Sequence, residues 1–167
     1  IYSKILKLDV KDVKFNSHQI EVNYILLENA NIKLKRHAQD KRWAYMMLLD
    51  NFKSKTPNKK SNSPDWNIEI AEVKLDDCNF QYEDEHAKHR INEFDEDHIQ
   101  FRHLSADIDK LSIIGDSTHL QIKQFNAIEQ CGFVVTNLQS MLAINSHEMN
   151  FSELHIITPY SDIKNQF

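Results

Sequence analysis

Between Glu83 and Asp97 the chain carries seven acids: Glu83, Asp84, Glu85, Glu93, Asp95, Glu96 and Asp97. Only Lys88 and Arg90 oppose them. His86 and His89 lie in the same stretch, and His98 and His103 follow closely. Carboxylates and imidazoles together are a metal-ligand set. The spacing argues against a metal. There is no HExxH helix and no cysteine pair, and a calcium loop needs a glycine at its sharp turn, which this stretch lacks. The segment reads as a solvated acidic loop, with no metal and no cofactor expected.

The other histidines, His18, His37, His119, His147 and His155, are scattered along the chain. They read mostly as residues of wet strand faces. No Ser–His–Asp order and no pair of glycosidase-type carboxylates is singled out. No catalytic residue is assigned, and no enzymatic activity is expected. Trp43, Trp66 and Tyr160 read as packing residues, with Trp66 shielding the start of a strand.

The elements that would position such groups announce themselves by an apolar rhythm. Two apolar residues stand one apart, a two-residue break follows, then two more stand one apart. Ile68, Ile70, Val73 and Leu75 form one copy. Ile99, Phe101, Leu104, Ala106 and Ile108 form a second, Leu120, Ile122, Phe125 and Ala127 a third, and Met149, Phe151, Leu154 and Ile156 a fourth. Period-two alternation means strands with one apolar face. The break shifts the phase by one, and a bulge or sharp bend there would return the apolar residues to the same side.

Strand-like stretches cover residues 5–15, 20–27 and 32–35, with turns at Asn16–His18 and Glu28–Ala30. Residues 42–53 change period. Tyr45, Leu48, Leu49 and Phe52 stand at helical spacing behind Asp40, which suits an N-cap, so one short capping helix is expected there. Residues 53–65 read as a flexible basic linker, and 66–167 as the main strand-rich segment. A turn is expected near Asp76–Asp77, and others at Gly115–Asp116, Cys131–Gly132 and Asn145–Ser146. Strands of about five to eight residues would fit these breaks.

Composition narrows the function. A net charge of -5 with 27% charged residues gives no basic stripe for nucleic acid. Only two glycines are present, at 115 and 132, so phosphate-cradling glycine loops are absent. No apolar run reaches the roughly eighteen residues of a membrane span, the longest being Trp43–Leu49. Cys78 and Cys131 read as unpaired thiols on inner strand faces. The chain opens on Ile1 and ends on Phe167 among strand-like residues, as expected of a segment cut from a longer polypeptide.

The ordered series YILLENANIKLKR, RWAYMMLLDNF, a Lys-rich gap and WNIEIAEVKLDDCNFQYEDE covers the first half. GFVVTNLQSMLAINSHEMNFSELHIITPYSDIKNQF closes the chain. Together they resemble the N-terminal periplasmic part of TamB-like proteins of the AsmA superfamily, as found in Bacteroidota. The tail departs mildly from the family pattern at Tyr160, where Asn is usual, and the helix is richer in Met (Met46, Met47).

The resemblance implies an elongated, curled antiparallel β-sheet, an open groove sometimes called a β-taco. It implies a periplasmic location in a protein anchored in the inner membrane of a Gram-negative bacterium. The partners it implies are phospholipid acyl chains in the groove, an Omp85-type outer-membrane barrel reached through another region, and the inner membrane through an anchor outside this segment. The implied work is phospholipid transfer between membranes. A second implied role is scaffolding outer-membrane protein assembly, where open sheet edges would accept client strands.

The residues themselves agree that an apolar sheet face needs a cover, either a second protein layer or hydrocarbon. An open groove and a closed β-sandwich both give one apolar face per strand. The candidate groove lining comprises the rhythm residues, alanines aside, with Phe80, Leu111, Ile113, Phe133, Val135 and Leu138.

Overall fold

A computed structural model describes residues 2–36, 66–90, 93–115, 117–145 and 147–165. The expected helix at 42–53 and linker at 53–65 lie outside the described residues, as do Asp116 and Ser146 of two expected turns.

Alternating apolar residues in this chain are rich in Ile, Val, Leu and Phe, which suit a pleated, half-covered surface. The described elements are accordingly all strands: β1 (Ile5–Lys14), β2 (Gln19–Glu28), β3 (Asn31–Arg36), β4 (Asn67–Asp84), β5 (Gln100–Ile114), β6 (Ser117–Glu129), β7 (Val134–Val135), β8 (Asn137–Ile144), β9 (Met149–Thr158) and β10 (Ser161–Lys164). They form one ten-stranded sheet in the order β1-β2-β4-β5-β6-β8-β9-β10, with β3 on β4 and β7 on β6. β1 and β10 do not pair, so the sheet is open, and it is curled.

Neighbours pair antiparallel except where β2 and β3 meet β4 in parallel. β2 runs beside the first half of β4 and β3 beside the second. Between them Asn29, at φ 50, donates its N–H to Asp76 O at 2.9 Å, and Ala30 O accepts from Asn79 at 2.7 Å. β2 and β3 thus act as one kinked strand along β4. The parallel pairing carries the N-terminal strands into the same sheet as the rest of the chain.

The phase breaks seen in the sequence are kinks within strands rather than ends of strands. His103 (φ 51), Lys110 (φ 54) and Glu153 (φ 53) take left-handed backbone, and register shifts fall beside each. The extra residue in the Ile122–Phe125 break of β6 is taken up by the shift between Asp107 and Ile108. Two expectations are corrected by this. The break at Asp76–Asp77 is a bulge inside a continuous β4, with Asp77 at φ 47, not a turn. The long strands exceed the expected five to eight residues, β4 reaching 18 and β5 15. Bulges bend the chain without ending the ladder, so a strand can curl along the sheet instead of turning back.

The buried cluster is small in volume: Ala30, Cys78, Leu104, Ala106 and Ala127. Leu27, Ile32, Leu75, Phe80, Phe101, Ile108 and Phe125 pack around it while staying partly exposed. Small side chains at the centre of a curled face leave room for the larger ones that converge on it. Both cysteines are free, as expected. Cys131, however, is exposed in the β6–β7 turn rather than on an inner face.

Candidate functional site

Residues paired across neighbouring strands share a face, so the register assembles the rhythm residues into rows. One row runs Val13, Ile20, Ile68, Ile113, Thr118, Ile144 and Met149 across seven strands. The next joins Leu8, Ile25, Val73, Ile108 and Ile122. A third joins Leu6, Leu27, Leu75, Ala106 and Phe125. Val10, Val22, Ile70 and Leu111 align on one side, and Leu120, Leu142 and Phe151 on the other. Ile32, Phe80 and Phe101 form the row nearest the acidic loop, and Leu138, Ile156 and Ile163 close the β8–β10 corner.

The curl turns this face inward. Along β4, Ile68, Ile70, Val73, Leu75, Cys78 and Phe80 are each more covered than the residues between them. Phe101 is stacked on Phe80 at 6.3 Å and meets Phe125 edge-on at 5.6 Å, which fixes the aromatic floor of the trough. Toward both rims the face is open. Leu6 is 65% exposed and Leu8 57% on one side, and Met149 is 57% and Phe151 42% exposed on the other. No second layer lies over it among the described residues.

The opposite face is mostly polar and charge-matched, with Leu26 buried on it beside Lys7 and Lys74. Lys74 pairs with Asp107 at 3.4 Å, Lys123 with Asp109 at 2.8 Å and Lys11 with Glu21 at 2.7 Å. These carboxylates and ammoniums stand in water, where such pairs contribute little to stability but keep this side wet.

Most expected lining residues fall on the inner rows. Ile99 and Phe133 lie outside the strands, in the loop before β5 and the turn after β6, and Phe133 is 50% exposed. Sequence reading missed Leu6, Leu8, Val10, Val13, Ile20, Val22, Ile25 and Leu27, which extend the four rows that cross β4 beside β2. Their alternation was plain, but the parallel β2–β4 pairing that places them beside Ile68–Leu75 leaves no local signal.

The acidic segment departs from the solvated loop expected above. Asp95 is 1% exposed, His98 4% and Asp84 5%. Asp95 folds the loop around itself. Its Oδ2 accepts the Arg90 N–H at 2.8 Å and faces His98 Nδ1 at 2.9 Å, and its Oδ1 accepts the Asp97 N–H at 3.2 Å. The Arg90 N–H leads the groups that outweigh burial and hold the Asp95 carboxyl down at about 2, against an ordinary 3.8. The His86 N–H likewise lowers Asp84, which also binds Arg36 at 3.0 Å. Composition misled here. Acids dense in sequence look solvated, yet short-range backbone N–H donors can bury one of them at little cost.

At the other side of the sheet end, Glu129 is 1% exposed. Burial pushes its carboxyl up, but the Cys131 thiol and the N–H groups of Cys131, Gln100 and Gln130 bring it below its ordinary value. Four His–Asp pairs at 2.8–2.9 Å, His86–Asp84, His98–Asp95, His103–Asp77 and His155–Asp162, hold turns, bulges and a hairpin. His98 and Asp95 also gather with His89 into a group whose ligand-type atoms lie within 4.8 Å of one another.

Because the Asp95 pKa is depressed on folding, its contribution to stability is full above the ordinary carboxylate range and is lost as pH falls from about 4 towards about 2. The Arg90 and Asp97 amides should then exchange faster over that window, after correction for intrinsic rates, with β4 and β5 amides unchanged. In Asp95→Asn the two loop amides should exchange fast at every pH. Protection of the Arg90 amide that persists in wild type to pH 2 would contradict this assignment.

Among the described residues no helix is long and apolar enough to cross a membrane. Comparison with protein-family models, with curated proteins and with solved structures finds no match for this chain.

Proposed function

We propose that this chain is a module of a periplasm-spanning bridge of the TamB-like type, whose curled sheet offers phospholipid acyl chains an apolar trough between the inner and outer membranes. The observation that supports it is the set of apolar rows continuous across up to seven strands on the inner side of an unclosed sheet. Water against such a face costs about 25 cal/mol per Å² of apolar surface, and hydrocarbon removes that cost. Holding by burial alone takes any chain length and allows sliding. Specific polar contacts would trap the cargo, and the rows carry few polar side chains, Thr118 among them.

An anchor in the inner membrane and an Omp85-type barrel at the outer membrane belong to this proposal as partners met through other parts of the parent protein. Scaffolding of client strands at the β1 or β10 edge is the second reading, favoured by those two edges lacking strand partners among the described residues. Native mass spectrometry of the purified parent protein separates the two. Bound phospholipid is the expected result. Bound polypeptide with no lipid adducts would favour the scaffold and sink the trough.

A further inference from the structure

We propose that His89 and His98 bind a divalent transition-metal ion of the zinc, nickel and copper class, with Asp95 orienting His98. The site lies on the loop between β4 and β5, away from the apolar rows, and is independent of the lipid reading.

Three observations carry it. First, His89, Asp95 and His98 each place a ligand-type atom within 4.8 Å of the other two. Second, the His89 and His98 rings lie face to face, with centroids 3.6 Å apart and planes 27° apart. Their lone pairs lie in the ring planes and run side by side in this stack, so one ion takes both nitrogens only once the exposed His89 ring turns toward it. Third, Asp95 Oδ2 stands 2.9 Å from His98 Nδ1. A carboxylate only accepts, so Nδ1 carries the proton and donates it. Nε2 of His98 is then the lone-pair nitrogen, oriented by a carboxylate as metal-binding histidines commonly are.

The loop is built to keep this arrangement. The Arg90 N–H donates to Asp95, which holds the residue next to His89 against Asp95. The Arg90 guanidinium is engaged by Glu96 and stands 3.5 Å from Asp95 Oδ1, so its charge is matched locally. His98 is buried while His89 is exposed. One ligand is therefore fixed and the other can turn its ring to close on an ion, with water completing the coordination. Imidazole donors select zinc, nickel or copper over calcium or magnesium, which demand oxygen. The ion would clip the loop to the end of the sheet.

The test uses the 167-residue chain stripped of metal with a chelator and titrated with zinc chloride alone. Imidazole proton resonances and calorimetry are read together. One equivalent of zinc should shift or broaden the His89 and His98 resonances and leave those of His119 and His147 in place. His89→Ala, at an exposed position that leaves the buried Asp95–His98 pair intact, should weaken binding more than about tenfold, since a lost ligand costs at least what a lost supporting group does. His119→Ala should bind as the wild type does. The proposal is overturned if zinc leaves the His89 and His98 resonances unmoved, or if His89→Ala binds zinc with unchanged affinity.

Discussion

On the proposed trough reading, glutamates placed together at Phe101 and Ile122 will lower capture of acyl chains by about a hundredfold or more. Ile122 ends the row that starts at Leu8, and Phe101 forms the aromatic floor with Phe80 and Phe125. A covered apolar side chain of this size contributes about 1.5–3 kcal/mol, so losing two lowers capture by about a hundredfold or more. The added carboxylates raise the cost again, because a charge beneath hydrocarbon has no partner. The measurement is covalent labelling of the protein by a phospholipid with a photoreactive acyl chain. Far-UV circular dichroism checks that the strands survive.

A second pair keeps the test independent of folding. Met149→Glu with Phe151→Glu lies on the open rim, where both side chains are already exposed. That pair should also cut labelling, while Gln121→Glu, paired with Asp109 on the polar side, should not. Labelling at wild-type strength in both apolar double variants would remove the trough as the site of lipid contact.

Leu104→Ala will cost the fold about 2–4 kcal/mol. Leu104 is 4% exposed, sits opposite Cys78 and touches the cluster that includes Ala106 and Ala127. A curled single layer has few fully buried residues. Each therefore carries a large share of a total stability that for most domains is only about 5–15 kcal/mol. Its neighbours in the cluster are mainly alanines, which have little reach to fill the hole. The measurement is urea unfolding followed by circular dichroism. Met141→Ala, at a position 42% exposed, should change stability by less than about 0.5 kcal/mol. Equal losses at the two positions would mean that the small cluster is not what holds the sheet.

Sequence alone determined that the chain is strand-rich, that each strand has one apolar side, and that the phase breaks at Phe101–Leu104 and Phe151–Leu154 require irregular backbone. These are local consequences of side-chain alternation and pleat, which every strand obeys wherever it lies. Tertiary structure decided the rest. The parallel docking of β2 and β3 on β4 joins Leu8, Ile25 and Val73 into one row, and pairing between strands some 50 residues apart leaves no trace in local alternation. It also decided that Asp77 is a bulge within β4 instead of a turn, because a bulge and a turn use the same polar residues and differ only in whether the ladder continues. Burial of Asp95 against His98 followed the same logic. An acid is hidden or wet according to whether backbone N–H groups converge on it, and that convergence exists only once the loop has folded.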